Sequence, residues 1–99
     1  MHIISRKTLR VFYKKPGCDD AKGPLDAWFH EVKRENWESP ADIKAKFRST
    51  SFLKDNRVVF NIGGNKYRLV VKINYPSKVV FIRFVGTHKE YDRIDPEAI

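Results

Sequence analysis

At 99 residues, with 41% hydrophobic and 32% charged side chains, the chain is long enough for one folded domain and too short for two. Twenty Lys and Arg against twelve Asp and Glu give a formal net charge of +8, which favours an anionic partner such as nucleic acid, the ribosome or an acidic protein. One Cys and three scattered His exclude an intramolecular disulfide and a zinc cluster. From the length we expect a single domain over residues 1–99, and from the Cys and His content we expect it to hold no metal or cofactor.

The sequence carries no sign of export or of membrane anchoring. No window approaches the roughly 18 consecutive apolar residues of a membrane-spanning helix. The N-terminal stretch MHIISRKTLR lacks the apolar centre of a secretory signal peptide, and a single cysteine suits a reducing compartment. We therefore expect a cytoplasmic protein with no membrane partner.

The N-terminal part begins with a short apolar run, residues 1–4, which predicts an edge strand. Ser5 then suits the N-cap of a helix, which ends before Pro16 and Gly17. The buried side of this helix is predicted from apolar residues at helical spacing, namely Leu9, Phe12 and Tyr13. Its other face carries Arg6, Lys7, Arg10 and Lys14 and is interpreted as solvated rather than as a nucleic-acid contact.

Two further helices are predicted before the chain becomes rich in β-formers. Pro24 opens the first of them, whose buried stripe is Leu25, Trp28, Phe29 and Val32. The segment Ser39-Pro40-Ala41-Asp42 has the pattern of a capped helix start, and Ile43 and Phe47 supply the buried side of that short helix. Trp28 and Trp37 are assigned to the core rather than to base stacking.

Residues 57–92 predict three antiparallel strands in a meander, because runs of β-branched and aromatic residues are separated by compact turn signals. In the second strand, Tyr67, Leu69, Val71 and Ile73 are predicted to face the helices. The third strand is almost wholly apolar, which predicts a central strand covered on both faces. Arg83 projects from it and needs an anionic partner, either a carboxylate of this chain or a phosphate. The fold class is therefore α+β: a small antiparallel sheet, with a short N-terminal strand, packed on two or three helices.

The charge of the predicted sheet is one-sided. Residues 57–89 contain seven Lys and Arg and no Asp or Glu, and the sheet ends in the polar segment THKEYD. A sheet whose charged positions are all cationic favours contact with a polyanion.

The stretches RVVFNIGGNKYRLV (57–70) and RFVGTHKEYD (83–92) closely resemble the HigB type of toxin in bacterial toxin–antitoxin operons, and MHIISRKTLR is similar to that family's opening. The resemblance implies a RelE-like fold and endoribonucleolytic cleavage of mRNA, usually in the ribosomal A site. It also implies inhibition by a HigA-type antitoxin with a helix-turn-helix domain. Operator DNA would be contacted only through the antitoxin complex, which represses its own operon.

Metal-independent RNA cleavage needs a base near the ribose 2′-OH, cations around the phosphate and an acid for the departing 5′-oxygen. Arg68, which corresponds to a strand Arg of the RelE-like pattern, and Arg83 are the candidates for binding the scissile phosphate. A structural ion pair is the alternative for Arg83. His88 is the candidate acid–base residue, because histidine gives or takes a proton near neutral pH; orienting the terminal turn is its alternative role.

Three of the remaining candidates, Tyr91, Lys89 and Asn61, each keep two interpretations. Tyr91 stacks on a base or contacts the 2′-OH, or else packs the closing segment onto the sheet. Lys89 holds phosphate or is solvated, and Asn61 hydrogen-bonds RNA or ties the hairpin together. Arg57 and Lys66 are assigned to RNA backbone contacts.

Two other functions fit the same surface. The first is a non-catalytic RNA-binding or ribosome-binding module. The second is a degenerate toxin that acts only as its antitoxin's partner in the repressor complex. Cleavage that depends on His88 or Arg68 distinguishes a nuclease from both.

Overall fold

The computed structural model describes all 99 residues and contains five strands and four α-helices. The N-terminal half holds β1 (His2–Ile4), α1 (Arg6–Tyr13), a 3-10 turn (Asp19–Ala21), α2 (Lys22–Lys33), α3 (Pro40–Lys46) and β2 (Ser51–Phe52). The C-terminal half holds β3 (Arg57–Ile62), β4 (Tyr67–Asn74), β5 (Val79–Thr87) and α4 (His88–Tyr91). No helix combines the length and apolar character needed to cross a membrane.

The strands form one sheet in the order β1-β5-β4-β3-β2. The antiparallel meander of β3, β4 and β5 is as predicted, and Gly63 and Gly64 adopt positive φ angles in the turn between β3 and β4. The predicted N-terminal strand is also present, but it runs parallel to β5 and makes the sheet mixed. The strand β2, which pairs antiparallel with β3, was not predicted, because two residues are too few to show an alternating pattern.

The helices and one face of the sheet enclose the core. The predicted stripe of α2 is buried as expected, although this helix begins at Lys22, two residues before Pro24. Trp28 and Trp37 are 2% and 1% exposed, and both rings contact Phe60 of β3, with ring centroids 5.4 and 6.3 Å apart. The assignment of both tryptophans to the core is confirmed. Burial of these aromatic rings stabilises this side of the sheet.

The prediction that β5 is covered on both faces is wrong. The strand β1 pairs with β5 only at residues 79–81, because it is three residues long and gives way to α1. Phe81 and Phe84 stay half-exposed, and Arg83 is exposed with no carboxylate within salt-bridge distance. The register also skips Arg83: Val70 lies opposite Phe84 and Val71 opposite Ile82. Arg83 is therefore the extra residue of a β-bulge, a feature that redirects side chains at sheet edges.

We call the side of the sheet that faces away from the main helices the outer face. After α4 the chain returns toward the start of β3. There Arg57 Nε donates to the main-chain oxygen of Ile99 at 2.7 Å, and Lys54 Nζ lies 4.0 Å from the carboxylate of Glu97. Helix α4 contacts both β4 and β5. The C-terminal segment thus ties the two ends of the outer face together.

Candidate active site

Three predicted or neighbouring positions form a row across the outer face. The register places Asn61 of β3 opposite Arg68 of β4, and Arg68 opposite Gly86 of β5, so adjacent members are about 4.8 Å apart along the hydrogen-bonding direction. Arg68 Nη1 donates to the main-chain oxygens of Asn65 and Tyr67 at 3.1 and 3.3 Å. No carboxylate lies within 4 Å of this guanidinium, so its charge is free to meet an anion.

Helix α4 starts directly after this row and is fixed by a capping box. Thr87 Oγ1 accepts a hydrogen bond from the main-chain N–H of Glu90 at 3.2 Å, and the Glu90 carboxylate accepts one from the N–H of Thr87 at 2.8 Å. The bond from the Thr87 N–H lowers the pKa of Glu90. Glu90 is therefore an ionised structural carboxylate, and the reciprocal bonds hold a helix of only four residues in place.

His88 is the first residue of α4, and its imidazole is exposed. Its Nδ1 lies 3.1 Å from Asp92 Oδ2, and its main-chain N–H donates to the oxygen of Lys66 at 3.3 Å. A carboxylate beside Nδ1 favours the proton on that nitrogen, which leaves Nε2 as the acceptor. Because Thr87 pairs with Tyr67, His88 stands at the same end of the sheet as Arg68. Sequence analysis did not identify Asp92 as the orienting group, although its i, i+4 spacing from His88 is a usable signal.

Tyr91 packs on the sheet through Phe84. The two ring centroids are 6.4 Å apart, and Tyr91 remains half-exposed. A Cβ atom placed on Gly86 would lie 2.6 Å from Phe84 Cζ, so the ring of Phe84 occupies the space that Gly86 leaves. Sequence analysis assigned no role to either residue, and a glycine inside a strand was the available signal for such a close approach.

Lys66 and Tyr67 both bind Asp20. The Lys66 ammonium forms an ion pair with the Asp20 carboxylate, and the buried Tyr67 hydroxyl donates to the other oxygen of the same group. These hydrogen bonds lower the pKa of Asp20 and raise that of Tyr67. Lys66, which the sequence predicted to be an RNA contact, is thus paired with a carboxylate of the turn before α2. The partner lies 46 residues away in the chain, and no local pattern pointed to it.

The other candidate side chains are spread over the outer face. Arg57 is 11% exposed and is engaged by Ile99 and, at 3.7 Å, by Asp55. Asn61 Nδ2 donates to the Ser49 oxygen at 3.2 Å, which ties β3 to the segment before β2. Lys89, next to His88, is exposed and has no partner.

Arg83 is not brought to His88. His88 follows Arg83 by five positions, across the end of β5, which corresponds to about 16 Å at the rise of an extended strand. Arg83 instead lines a cavity of about 420 Å³ together with Lys72 and Phe81, and its guanidinium carbon is 5.7 Å from the Phe81 ring centroid. Lys72 also has no carboxylate partner. No group of His, Cys, Asp and Glu side chains comes together as a metal site requires.

Comparison with known proteins finds one matching family and close relatives. The family model HigB_toxin, described as the RelE-like toxic component of a toxin-antitoxin system, matches residues 21–94. The mRNA interferase toxin HigB of Escherichia coli (strain K12) is 36% identical over 94 residues, which are 93% of this chain and 88% of that protein. The mRNA interferase HigB of Shigella flexneri shows the same identity and coverage. The mRNA interferase HigB of Escherichia coli O6:H1 is 26% identical over 96 residues, which are 95% of this chain and 91% of that protein.

Proposed function

The chain belongs to the HigB_toxin family of RelE-like toxic components of toxin–antitoxin systems, and on that premise we propose that it is an mRNA interferase. The proposed reaction is metal-independent endoribonucleolytic cleavage of translated mRNA. The 2′-OH attacks the adjacent phosphate, loses its proton to a base, and expels the 5′-oxygen, which takes up a proton from an acid. The products are a 2′,3′-cyclic phosphate and a free 5′-hydroxyl end.

The observation that carries this proposal is the pairing of an oriented imidazole with an unneutralised guanidinium at one end of the sheet. With Nδ1 held by Asp92, His88 presents Nε2 to the substrate as the proton-transfer atom. Arg68, which has no carboxylate partner, binds the scissile phosphate and stabilises the charge that develops on it. The second proton passes through Lys89 or Tyr91, the two other ionisable side chains of α4 that are not engaged in the capping box.

Arg83 takes a different role in this proposal from the one expected from sequence alone. Its distance from His88 is about that of two or three nucleotides of extended RNA, given roughly 6 Å per nucleotide in a single strand. With Lys72 and Phe81, it offers two cations and an aromatic ring to a flanking nucleotide. We therefore assign Arg83 and Lys72 to RNA binding. Asn61 lies opposite Arg68 on the neighbouring strand β3 and belongs to the same row.

We also propose where the reaction takes place and which protein inhibits it. The substrate is mRNA on the ribosome, and the inhibitor is a HigA-type helix-turn-helix antitoxin, through which alone the toxin reaches operator DNA. Support comes from the toxin–antitoxin description of the family and from the cationic, acid-free segment 57–89, which suits a partner dense in phosphates.

The test is induced expression of the wild-type chain beside His88→Ala and the control His30→Ala, with primer extension on an abundant mRNA. His30 is exposed on α2 and contacts Phe29, on the helix side of the molecule. We expect growth arrest and new cuts within translated codons for the wild type and His30→Ala. His88→Ala should reduce cutting by about 10² to 10⁴, the usual contribution of a positioned acid–base group.

Two outcomes contradict the proposal in different ways. Arrest without new mRNA ends indicates a binding module that blocks translation. Full cutting by His88→Ala retains the interferase and removes His88 from its mechanism.

A further inference from the structure

A groove between α1 and β5 is the largest cavity of the molecule, with a volume of about 430 Å³. Its apolar lining comes from Val11 and Phe12 of α1 and from Phe84 and Val85 of β5. Lys7 and Lys15 stand on its rim, and neither has a carboxylate within 4 Å. We call this cavity the α1–β5 groove. None of the roles assigned above to His88, Arg68 or Arg83 uses it.

One wall of the groove is an unpaired strand edge. The strand β1 pairs with β5 at residues 79–81 and then ends, while β5 continues to Thr87. On that side, residues 82–87 have no neighbouring strand. Such an edge is a template for an extended segment of another chain, since its free N–H and C=O groups can continue the sheet. The groove is lined by Phe84 and Val85 of this unpaired part of β5 and by Ser5, the residue that follows β1.

The opposite wall is apolar at its centre and cationic around it. Val11 is 52% exposed, the most exposed large hydrophobic residue of the chain. The sequence of α1 contains Arg6, Lys7 and Arg10 and no acidic residue, and Lys14 and Lys15 follow it directly. Of these cations, only Arg6 reaches a carboxylate, that of Asp26 at 4.0 Å. The surface therefore fits apolar side chains flanked by Asp or Glu.

We propose that the α1–β5 groove is the docking site of the antitoxin, and that the docked part is an extended segment of apolar and acidic residues added as a strand beside β5. This inference rests on the proposed toxin–antitoxin function. An RNA ligand suits the surface less well, because the most exposed apolar side chain, Val11, is aliphatic and a strand edge pairs with a peptide backbone.

The position of the groove connects antitoxin binding to the active site. Phe84 lines the groove, fills the space above Gly86 and contacts Tyr91 at 6.4 Å between ring centroids. A segment packed on Phe84 thereby constrains the side chain on which Tyr91 rests. The antitoxin can inhibit the toxin from this neighbouring surface without contacting His88.

The test compares Val11→Asp with the matched control Phe52→Asp, each measured against the purified cognate antitoxin by titration calorimetry. Phe52 is also an exposed apolar residue, at 38%, but it lies on β2 at the opposite edge of the sheet. We expect the dissociation constant to rise at least tenfold for Val11→Asp and less than twofold for Phe52→Asp. In cells, Val11→Asp should arrest growth like the wild type and escape neutralisation by co-expressed antitoxin.

Unchanged antitoxin affinity in Val11→Asp overturns the inference. The inference also fails if the wild-type chain self-associates and Val11→Asp abolishes that self-association, because the groove then holds a second copy of the chain. If Val11→Asp fails to fold, Lys7→Glu on the same rim gives the same measurement. Loss of mRNA cutting with unchanged antitoxin affinity also contradicts docking and identifies the groove as an RNA surface. A wild-type chain that binds antitoxin through this groove but cuts no mRNA would refute the proposed activity and leave the docking site standing.

Discussion

Three lysines on the helix side of this sheet are paired with carboxylates, whereas four cations on the outer face are not. On the helix side, Lys22, Lys46 and Lys66 each reach a carboxylate within 4 Å, from Asp26, from Glu31 and Glu35, and from Asp20 respectively. On the outer face, Arg68, Lys72, Arg83 and Lys89 reach none. Both groups belong to a chain of net charge +8, so composition alone does not distinguish them.

The difference shows where the excess charge is available. Exposed ion pairs add little to stability, but they neutralise a cation locally and reduce its attraction for other anions. Arg68, Lys72, Arg83 and Lys89 keep their full charge because no carboxylate of the chain lies within 4 Å of them. Substitution of the four unpaired outer-face cations should therefore reduce mRNA cleavage or RNA binding without loss of stability, whereas substitution of the paired helix-side groups should leave RNA cleavage unchanged and lower stability only slightly.

Among the substitutions that test this contrast, the largest expected effect is that of Arg68→Ala. Removing a preorganised group that stabilises the charge of the transition state typically costs about 10² in rate, and we expect a loss of that order in mRNA cleavage. The melting temperature should stay unchanged, because Arg68 hydrogen-bonds only two main-chain oxygens beside the β3–β4 turn. Cleavage of ribosome-bound mRNA and thermal unfolding measure the two quantities.

The control for Arg68→Ala is Lys46→Ala, which removes one positive charge from the helix side, where that charge is already paired. Its cleavage rate should match the wild type. If both variants cleave equally slowly, the net charge of the chain matters rather than its placement, and the contrast between the two sides fails. Arg68→Lys should recover only part of the rate, because an ammonium lacks the guanidinium fork.

An intermediate effect is expected for Asp20→Asn, now on stability. The lowered pKa of Asp20 means that the folded state favours the charged carboxylate more than the unfolded chain does. This contribution is complete above the unfolded pKa of about 4 and disappears as the pH falls through the still lower folded value. Asp20→Asn should therefore melt a few degrees below the wild type at pH 7.

Melting temperatures measured at acidic pH check this prediction. As the pH falls below about 4, the melting temperatures of wild type and Asp20→Asn should converge, since the wild-type carboxylate becomes protonated. A difference that is constant from pH 7 to pH 2 would mean that the charge on Asp20 does not stabilise the fold. Added salt should also narrow the difference at pH 7, because Asp20 and Lys66 are about half exposed.

Most of the fold was predictable because its elements carry local patterns. Alternation in β4 and the stripe of α2 gave the correct buried residues, since each pattern repeats several times within one element. Strand β2 has only two residues, and the bulge at Arg83 depends on how β5 pairs with β4. These features arise from tertiary pairing, which a single-strand pattern does not encode.

The candidate site divides in the same way. Arg68 and His88 share one end of the sheet because antiparallel pairing brings the end of β5 back to the start of β4, which the order of turns implies. The Asp20 partner of Lys66 has no local signal. For Arg83, the sequence does carry a signal, because five positions along an extended chain place it about 16 Å from His88.

The smallest expected effect is that of the double substitution Lys72→Ala and Arg83→Ala. If these cations hold the backbone of flanking RNA, affinity for a short mRNA should fall several-fold and the salt slope of binding should decrease by about two, one for each phosphate contact. Cleavage at saturating substrate should stay near the wild-type rate, since neither side chain lies at the His88 end of the sheet.

The matched control is Lys22→Ala with Lys46→Ala, which removes the same charge from paired positions on the helix side. An equal decrease of the salt slope in both double variants would show that long-range attraction alone draws RNA to this toxin. A decrease confined to the Lys72 and Arg83 variant requires contact, because a protein cation releases RNA counterions only where it neutralises a phosphate in their place.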